Sequence, residues 1–285
     1  MKILLTGATG QVGYELQRSL QCLGEVVAPG RAVMDLADLE QVREVIRAVA
    51  PALIVNAASY TAVDKAEAEP QLARRINAEA PAVMAAQARE VGAAMVHYSS
   101  DYVYDGSKAG PYAEGDTPNP LNVYGQTKLE GDQAIAAAGI DYLILRTSWV
   151  YGMRGSNFLL TMMDLAKQRE ELHVVCDQHG APTWSRTVAE ATALLLARAQ
   201  DGGDGWWEQH GGLYHLSSAG QTSWSGFAEE IVSRQGLDCR VVPIATGGYP
   251  RPARRPQNSV LDCTRIGKLC ALPDWRDALA LCLQY

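Results

Sequence analysis

The 285-residue sequence predicts an α/β protein, with a doubly wound parallel sheet and a smaller α/β unit toward the C-terminal end. Short apolar segments alternate with helical patterns through the first half, which is the order of parallel strands joined by helices. The early apolar segments are nearly continuous, as expected of strands that are covered on both faces of a sheet. A glycine-rich turn directly follows the first of these segments.

The first domain is predicted to contain five strands, each leading into a helix or a loop. Apolar residues at helical spacing predict helices over about 12–23, 38–49, 72–91 and 123–138. The predicted strands are KILLT (2–6), EVVA (25–28), ALIVN (52–56), AAMVHYS (93–99) and DYLILRTS (141–148).

After Trp149 the pattern becomes irregular. Helices are predicted over about 157–168, 187–199 and 275–284, a short strand at LHVV (172–175), and a strand that rejoins the first sheet at LYHLS (213–217). The segments Asp201–Gly212 and YPRPARRP (249–256) are predicted loops by composition. We therefore expect one domain of residues 1–150 with about 186–217, and a second of residues 151–185 with 218–285.

The composition excludes several classes of function. The formal net charge is −7, which is unfavourable for binding nucleic acid. No apolar segment reaches the roughly 18 residues that a membrane span needs, and no signal peptide precedes KILLT. The cysteines at 22, 176, 239, 263, 270 and 282 lack the spacing of a zinc site, so we expect reduced thiols and no metal. A soluble, cytoplasmic protein is expected.

The glycine-rich turn TGATGQVG (6–13) predicts a Rossmann-type dinucleotide site. Gly7, Gly10 and Gly13 lie between the first strand and the first helix, where small residues let the backbone approach a diphosphate. The N-terminus of the helix adds free N–H groups and a partial positive charge. The alternative is a tight strand–helix turn without a ligand.

The residues after the second strand bear on the choice of cofactor. An acid at Ala28–Arg31 would bind the adenosine ribose 2′-hydroxyl, and none is present. Arg31 could instead bind a 2′-phosphate, which favours NADPH, with NADH still possible; the alternative is a solvated arginine. Further contacts with the cofactor are expected from Gln11, Val12, Asp35, Leu36, Ala57, Ala58, Ser59 and Thr61.

Three side chains suit the reduction of a carbonyl group. Ser100 ends the fourth strand, and Tyr124 and Lys128 lie four residues apart in NVYGQTKLEG, on one face of a predicted helix. A lysine ammonium would lower the pKa of the phenol toward neutrality and could hold the nicotinamide ribose. The serine hydroxyl could orient the substrate oxygen. The alternative is a polar pair on a helix surface.

Seven segments of the sequence carry a family resemblance: TGATGQVGYELQ (6–17), NAASYTAVDKAE (56–67), HYSSDYVYDG (97–106), LNVYGQTKLEG (121–131), LRTSWVYG (145–152), DQHGAPT (177–183) and YPRPARRPQNSVLD (249–262). Together they resemble the dTDP-4-dehydrorhamnose reductase family of the extended short-chain dehydrogenase/reductase superfamily. The G-x-x-G-x-x-G spacing is typical of that superfamily, and the similarity runs nearly end to end. The resemblance implies NAD(P)H-dependent reduction of the C4 carbonyl of dTDP-4-dehydro-L-rhamnose to dTDP-L-rhamnose.

The resemblance also implies a role for individual residues. Tyr124 would be the proton donor and Lys128 its partner, while Ser100 stands where the family usually has threonine. The other implied contacts are Asp101, Tyr102 and Trp149 with the sugar, and Asn157, Arg254 and Arg255 with the nucleotide diphosphate. The sequence also supports the role of the arginines independently of the resemblance, because an acidic chain that concentrates arginines between prolines offers a rigid cationic site suited to phosphate. The alternative is a solvated basic loop.

Two departures from related enzymes narrow the prediction. Some family members bridge a dimer through a metal that carboxylates hold. Only Glu15 matches here, since Trp184, Ser185 and Arg186 replace the other carboxylates, and we expect a monomer or a homodimer without metal.

The second departure favours reduction over dehydration. Dehydratases place an Asp-Glu pair after the active-site hydroxyl, whereas Tyr102 follows Asp101 here, so the acid that would eliminate water is absent. A 4-epimerase that retains its NAD, or a non-catalytic NADP-binding regulatory subunit, remains the alternative.

Overall fold

A computed structural model describes residues 1–284, with the backbone alone at position 204. The strands are β1 (Lys2–Thr6), β2 (Glu25–Val27), β3 (Leu53–Asn56), β4 (Ala94–Ser100), β5 (Tyr142–Thr147), β6 (Val150–Tyr151), β7 (Glu171–Val175), β8 (His179–Gly180), β9 (Thr183–Trp184), β10 (Gly212–His215), β11 (Thr222–Ser223) and β12 (Arg240–Ile244). The helices are α1 (Gln11–Ser19), α2 (Leu39–Val49), α3 (Val63–Ala66), α4 (Pro70–Arg74), α5 (Ala80–Val91), α6 (Val123–Ala136), α7 (Phe158–Ala166), α8 (Ser185–His210), α9 (Trp224–Arg234), α10 (Thr264–Gly267) and α11 (Trp275–Cys282). A π-helical turn, Arg75–Glu79, joins α4 to α5, and short 3₁₀ turns lie at Asp101–Val103 and Thr246–Gly248.

The central sheet confirms the predicted fold class. Over the described residues its six strands run in the order β10-β5-β4-β3-β1-β2, and every pairing is parallel. The strand order reverses at β1, which lies between β3 and β2, so a crevice opens there at the carboxyl ends of the strands. The chain returns to this sheet at β10, as predicted from LYHLS.

Apolar side chains cover the sheet on both faces. Ile3 and Leu5 belong to one buried cluster, with α1 and α8, and Leu4 belongs to another, with α2 and α5. This arrangement explains why the strand sequences are continuously apolar. A further cluster draws on residues 151–184 and 227–282; the division into two domains given above stays a prediction.

The predicted loop at Asp201–Gly212 is wrong for most of its length. Helix α8 continues to His210 across a break at Gly203, where φ is 58° and ψ is −148°. The reason is tertiary packing: Trp206 is buried in the same cluster as Ile3 and Leu5, which outweighs the unfavourable glycines. Neither α8 nor any other described helix is both long and apolar enough to cross a membrane.

Candidate active site

A cleft of about 940 Å³ opens at the carboxyl edge of the central sheet. Its lining comes from the segments that follow β1, β2, β3, β4 and β5, and from helix α6. Seventeen of the predicted site residues line this cleft: Gly7, Gly10, Gln11, Val12, Arg31, Asp35, Leu36, Ala57, Ala58, Ser59, Thr61, Ser100, Asp101, Tyr124, Lys128, Trp149 and Asn157.

The glycine-rich turn has the geometry of a phosphate-binding turn. Gly7 adopts a positive φ of 69°, which glycine tolerates and other residues rarely adopt. A Cβ atom on Gly13 would lie 2.1 Å from the carbonyl oxygen of Gly7, so only glycine lets α1 approach the turn this closely. Gly13 itself does not line the cleft; its place is in helix–strand packing. The first N–H groups of α1 are left available for an anion.

The end of the cleft that is lined by the segment after β2 carries an ion pair. Arg31 Nε lies 3.2 Å from Asp35 Oδ2, and the Arg31 side chain is 77% exposed. The backbone N–H of Ala37 donates to Asp35 and, with Arg31, holds the pKa of that carboxyl below its usual value. An acid is therefore present at this end, although none follows the second strand directly, because a turn at 31–33 brings Asp35 back beside Arg31.

Helix α6 carries both Tyr124 and Lys128 into the cleft. Asn122 caps its N-terminus, with Oδ1 accepting from the backbone N–H of Gly125 at 2.8 Å. The same side chain donates through Nδ2 to the carbonyl oxygen of Arg254 at 2.7 Å. The start of the helix is thereby attached to the Pro/Arg-rich loop of the C-terminal part.

Lys128 is almost fully buried, and its ammonium faces the cleft from below. Nζ donates to the carbonyl oxygen of Tyr98 at 2.6 Å and lies 3.0 Å from His97 Nε2. Burial lowers the pKa of Lys128 to about 8, against the opposing effect of Asp132. The ammonium is thus the main form at neutral pH.

The pKa of Tyr124 differs from the sequence-based expectation. Burial raises it to about 12, while a hydrogen bond with Ser100 acts in the opposite direction. The lysine was expected to move this pKa toward neutrality, but loss of hydration outweighs other influences. A phenol with a raised pKa stays protonated, which suits a proton donor better than a base.

Near Asp101 and Trp149 the cleft combines a buried carboxyl group with an aromatic stack. Asp101 accepts hydrogen bonds from Ser100 and Ser148, each at 2.9 Å, and burial raises its pKa to about 6. The Trp149 ring stacks on Trp224, with centroids 3.5 Å apart and planes within 4°. Trp149 has a φ of 46°, an uncommon value for a bulky residue that the surrounding packing must maintain.

Three predicted sugar and diphosphate contacts do not line the cleft: Tyr102, Arg254 and Arg255. Arg255 forms two hydrogen bonds with Asp64, at 2.8 and 2.9 Å, and the Arg254 side chain is exposed. Arg255 also hydrogen-bonds Tyr102, whose ring packs edge-on against Tyr124 at a centroid distance of 5.9 Å. The arginine loop therefore adjoins helix α6 without entering the cleft.

Asn157 lines the cleft, but its amide group already has partners. Oδ1 accepts from the N–H of Leu160 and caps α7, and Nδ2 donates to Gln11 Oε1 at 3.0 Å and to the carbonyl oxygen of Gly152 at 2.8 Å. Asn157 thereby joins the glycine-rich turn to the segment that follows β6.

A cluster of buried polar side chains beneath the cleft was not predicted from the sequence. It contains Asn56, His97, Asp132 and Arg146, each less than 5% exposed. Arg146 Nε lies 3.2 Å from Asp132 Oδ2, which also accepts from Ser99. The available indication was the presence of His97 and Arg146 inside otherwise apolar strands, since a buried polar side chain requires a partner.

Comparisons with known proteins agree with this geometry. A family model described as "RmlD substrate binding domain" matches residues 1–285. A dTDP-4-dehydrorhamnose reductase of Burkholderia thailandensis is 48% identical, over 100% of this chain and 98% of the relative. A crystal structure of such a reductase from Clostridium acetobutylicum has a TM-score of 0.92 at 38% identity, covering 100% of this chain and 99% of that one.

A second crystal structure, of a dTDP-4-dehydrorhamnose reductase from Bacillus anthracis in complex with NADP, has a TM-score of 0.91 at 33% identity. It covers 99% of this chain and 98% of that one. The resemblance inferred from the sequence motifs is confirmed by these full-length matches. The chain therefore belongs to the dTDP-4-dehydrorhamnose reductase family, the proteins of the RmlD substrate binding domain.

Proposed function

We propose that this protein is an NADPH-dependent oxidoreductase that reduces the C4 carbonyl of dTDP-4-dehydro-L-rhamnose to give dTDP-L-rhamnose. The observation that carries the proposal is one cleft lined both by the glycine-rich turn and by Ser100, Tyr124 and Lys128. The full-length relatives that carry the name of this reductase support it.

The residues along the cleft suit a nicotinamide dinucleotide. The N–H groups at the start of α1 would hold the diphosphate, and Ala57, Ala58, Ser59 and Thr61 line the wall beside it. Arg31, largely exposed at the far end, would bind the 2′-phosphate that distinguishes NADPH from NADH. The NADP complex of the Bacillus anthracis relative supports this choice. When bound, the cofactor supplies the hydride for C4.

Side chains of α6 and β4 would supply the proton that the C4 oxygen gains on reduction. Tyr124 is protonated at neutral pH because its pKa is raised, so it can donate to the C4 oxygen. The Lys128 ammonium then stabilises the phenolate that remains, and it would also hold the nicotinamide ribose. Ser100 donates its hydroxyl proton to Asp101 in the structure, so it would donate to the same C4 oxygen after its hydroxyl turns toward the cleft.

The nucleotide sugar would extend from the catalytic helix toward the C-terminal part. Asp101 and Trp149 line the cleft where the deoxysugar would lie, and Tyr102 packs behind Tyr124. Asn157, Arg254 and Arg255 would contact the diphosphate. This requires the exposed Arg254 side chain to turn inward and Arg255 to leave its pairing with Asp64, because neither arginine lines the cleft. The relevant partner is thus a small anionic substrate.

The proposed location is the cytoplasm. All six cysteines, which lie within the described residues, are unpaired. Unpaired thiols are typical of compartments that keep cysteine reduced.

The proposed function is tested by adding dTDP-4-dehydro-L-rhamnose to the protein with NADPH or NADH and following the loss of cofactor absorbance. We expect stoichiometric oxidation of NADPH and formation of dTDP-L-rhamnose, with slower turnover on NADH. Recovery of a C4 epimer without net oxidation of the cofactor would instead favour an epimerase. Absence of any turnover with either cofactor would refute the proposal.

A further inference from the structure

A line of hydrogen bonds crosses the sheet from the glycine-rich turn to the catalytic lysine. Thr6 Oγ1 donates to Asn56 Oδ1 at 2.7 Å, Asn56 Nδ2 lies 3.0 Å from His97 Nδ1, and His97 Nε2 lies 3.0 Å from Lys128 Nζ. We refer to Thr6, Asn56 and His97 as the polar ladder. They occupy paired positions on three adjacent strands, β1, β3 and β4.

Burying the polar ladder costs free energy that apolar side chains at the same positions would not cost. Its three residues are 3%, 1% and 0% exposed, and Thr6 alone of them lines the cleft. Neighbouring positions in the same strands, such as Ile54 and Val96, are apolar. Burial of three polar side chains in succession costs free energy unless each is hydrogen-bonded. The ladder meets that condition by ending on Lys128.

The positions of the protons on Lys128 and His97 determine whether His97 can accept a hydrogen bond from the lysine. A charged Lys128 has three N–H bonds: one reaches the carbonyl oxygen of Tyr98, one reaches His97 Nε2, and one remains for the cleft. Nε2 can accept only if the imidazole is neutral and carries its proton on Nδ1. That Nδ1–H must then donate to the side-chain Oδ1 of Asn56, the atom that faces Thr6 in the structure.

The side-chain amide of Asn56 therefore has two orientations, and each is compatible with one charge state of Lys128. In the structure, Asn56 Nδ2 faces His97 and donates to its Nδ1. The proton of the neutral ring is then on Nε2 and is donated to Lys128, which must be a neutral amine to accept it. With the amide turned by half a rotation, Oδ1 faces His97, Nδ2 faces Thr6, and the lysine partner is an ammonium. Thr6 Oγ1 can serve in both, because a hydroxyl donates and accepts.

Burial and the Lys128 ammonium favour the neutral imidazole of His97, and the Asp132 carboxylate, which opposes them, is paired with Arg146. Lys128 and Asp132 approach it from α6, with Asp132 Oδ1 4.0 Å from Nε2, and Arg146 of β5 is paired with that aspartate. From β3 it meets the uncharged Asn56, and its paired position on β5 is Ile144. Burial and the adjacent ammonium both keep the pKa of His97 well below its usual value.

We propose that His97 is a positioning residue for Lys128: its neutral ring, oriented by Asn56 and Thr6, accepts a hydrogen bond from the ammonium and fixes it beneath the cleft. The kinetic part of this inference rests on the proposed function. The structural part, which concerns the tautomer of His97, does not.

The kinetic test compares two amide variants that differ in reach. In His97→Gln the amide extends to about the depth of Nε2 and can still accept from Lys128, whereas in His97→Asn it extends only to about the depth of Nδ1. We expect His97→Gln to keep kcat within about threefold of the unmodified protein, and His97→Asn to lose about 10- to 100-fold, as for loss of a hydrogen bond to a charged group.

The pH profile separates this role from a general loss of packing. Without an acceptor the buried ammonium is less stable, so its pKa falls and the alkaline decline of kcat should begin about one pH unit lower in His97→Asn. In His97→Gln the alkaline decline should remain where it is in the unmodified protein. Equal effects of the two variants on kcat and on the pH profile would overturn the proposal.

The structural test needs no turnover. Nitrogen NMR of the histidine ring, with His97 identified as the signal lost in His97→Gln, should show a neutral Nδ1–H tautomer at neutral pH. An imidazolium, or the Nε2–H tautomer alone, would overturn the proposal. This measurement is made on the unmodified protein, so it decides the matter even if His97→Asn does not fold or if the proposed substrate is not reduced.

Discussion

Two Asp–Arg pairs in this protein have the same Nε–Oδ2 distance and differ in burial. Arg146 Nε lies 3.2 Å from Asp132 Oδ2, with side chains only 4% and 5% exposed. Arg31 Nε lies at the same 3.2 Å from Asp35 Oδ2, with side chains 77% and 32% exposed. We predict that Asp132→Asn strongly destabilises the fold and that the matched Asp35→Asn does not.

The magnitude follows from what each substitution leaves behind. Asp132→Asn would leave the Arg146 guanidinium buried without a countercharge, which costs about 3–5 kcal/mol. An exposed pair contributes only about 0–1 kcal/mol, because water screens both charges. For a chain of this size the unfolding entropy is roughly 0.6 kcal/mol per kelvin, so Tm should fall by about 5–8 °C in Asp132→Asn and by less than about 2 °C in Asp35→Asn.

Thermal unfolding followed by circular dichroism, without cofactor, measures both changes directly. The cofactor is omitted because Asp35 lines the cleft and its substitution could alter ligand binding. Adding Arg146→Met to Asp132→Asn should recover part of the loss, since the unpaired charge is then removed. Equal decreases in Tm for the two aspartate variants would refute the argument that burial decides the cost.

Three further predictions concern the cleft. In the proposed mechanism only the Lys128 ammonium stabilises the Tyr124 phenolate, so kcat should decline as the pH rises through the Lys128 pKa of about 8. A pH–rate profile that stays flat well above this value would contradict the prediction. Arg31→Ala should raise KM for NADPH about 10-fold and leave KM for NADH nearly unchanged, as measured by steady-state kinetics with each cofactor; equal changes would exclude a 2′-phosphate contact. Trp149→Ala removes the stack on Trp224 and should raise KM for the nucleotide sugar about 10-fold or more, with NADPH binding unaffected by fluorescence titration.

The sequence was informative where one local pattern determines the outcome. Strands such as β1 are apolar throughout because alternate residues, Ile3 and Leu4, enter clusters on opposite faces of the sheet. The four-residue spacing of Tyr124 and Lys128 needed only a helix to place both in the cleft. Glycine spacing likewise located the turn that joins β1 to α1.

The sequence was less informative where the partner is distant along the chain. Arg255 pairs with Asp64, 191 residues away, whereas composition alone indicated a rigid cationic site suited to phosphate. His97 meets Asn56 only because β3 and β4 are neighbours in a fixed register. Trp206 turned a glycine-rich segment into helix through burial in a remote cluster. In each case the three-dimensional neighbour, and not the local pattern, decided the result.

The most direct test of the central claim is the rate of NADPH oxidation with dTDP-4-dehydro-L-rhamnose for the unmodified protein and for Tyr124→Phe. The substitution removes one hydroxyl group and keeps the ring that packs against Tyr102. We predict nearly unchanged NADPH binding and a decrease in kcat of about 100- to 10,000-fold, the usual contribution of a general acid. Near-normal turnover by Tyr124→Phe would contradict the assignment of Tyr124 as the proton donor.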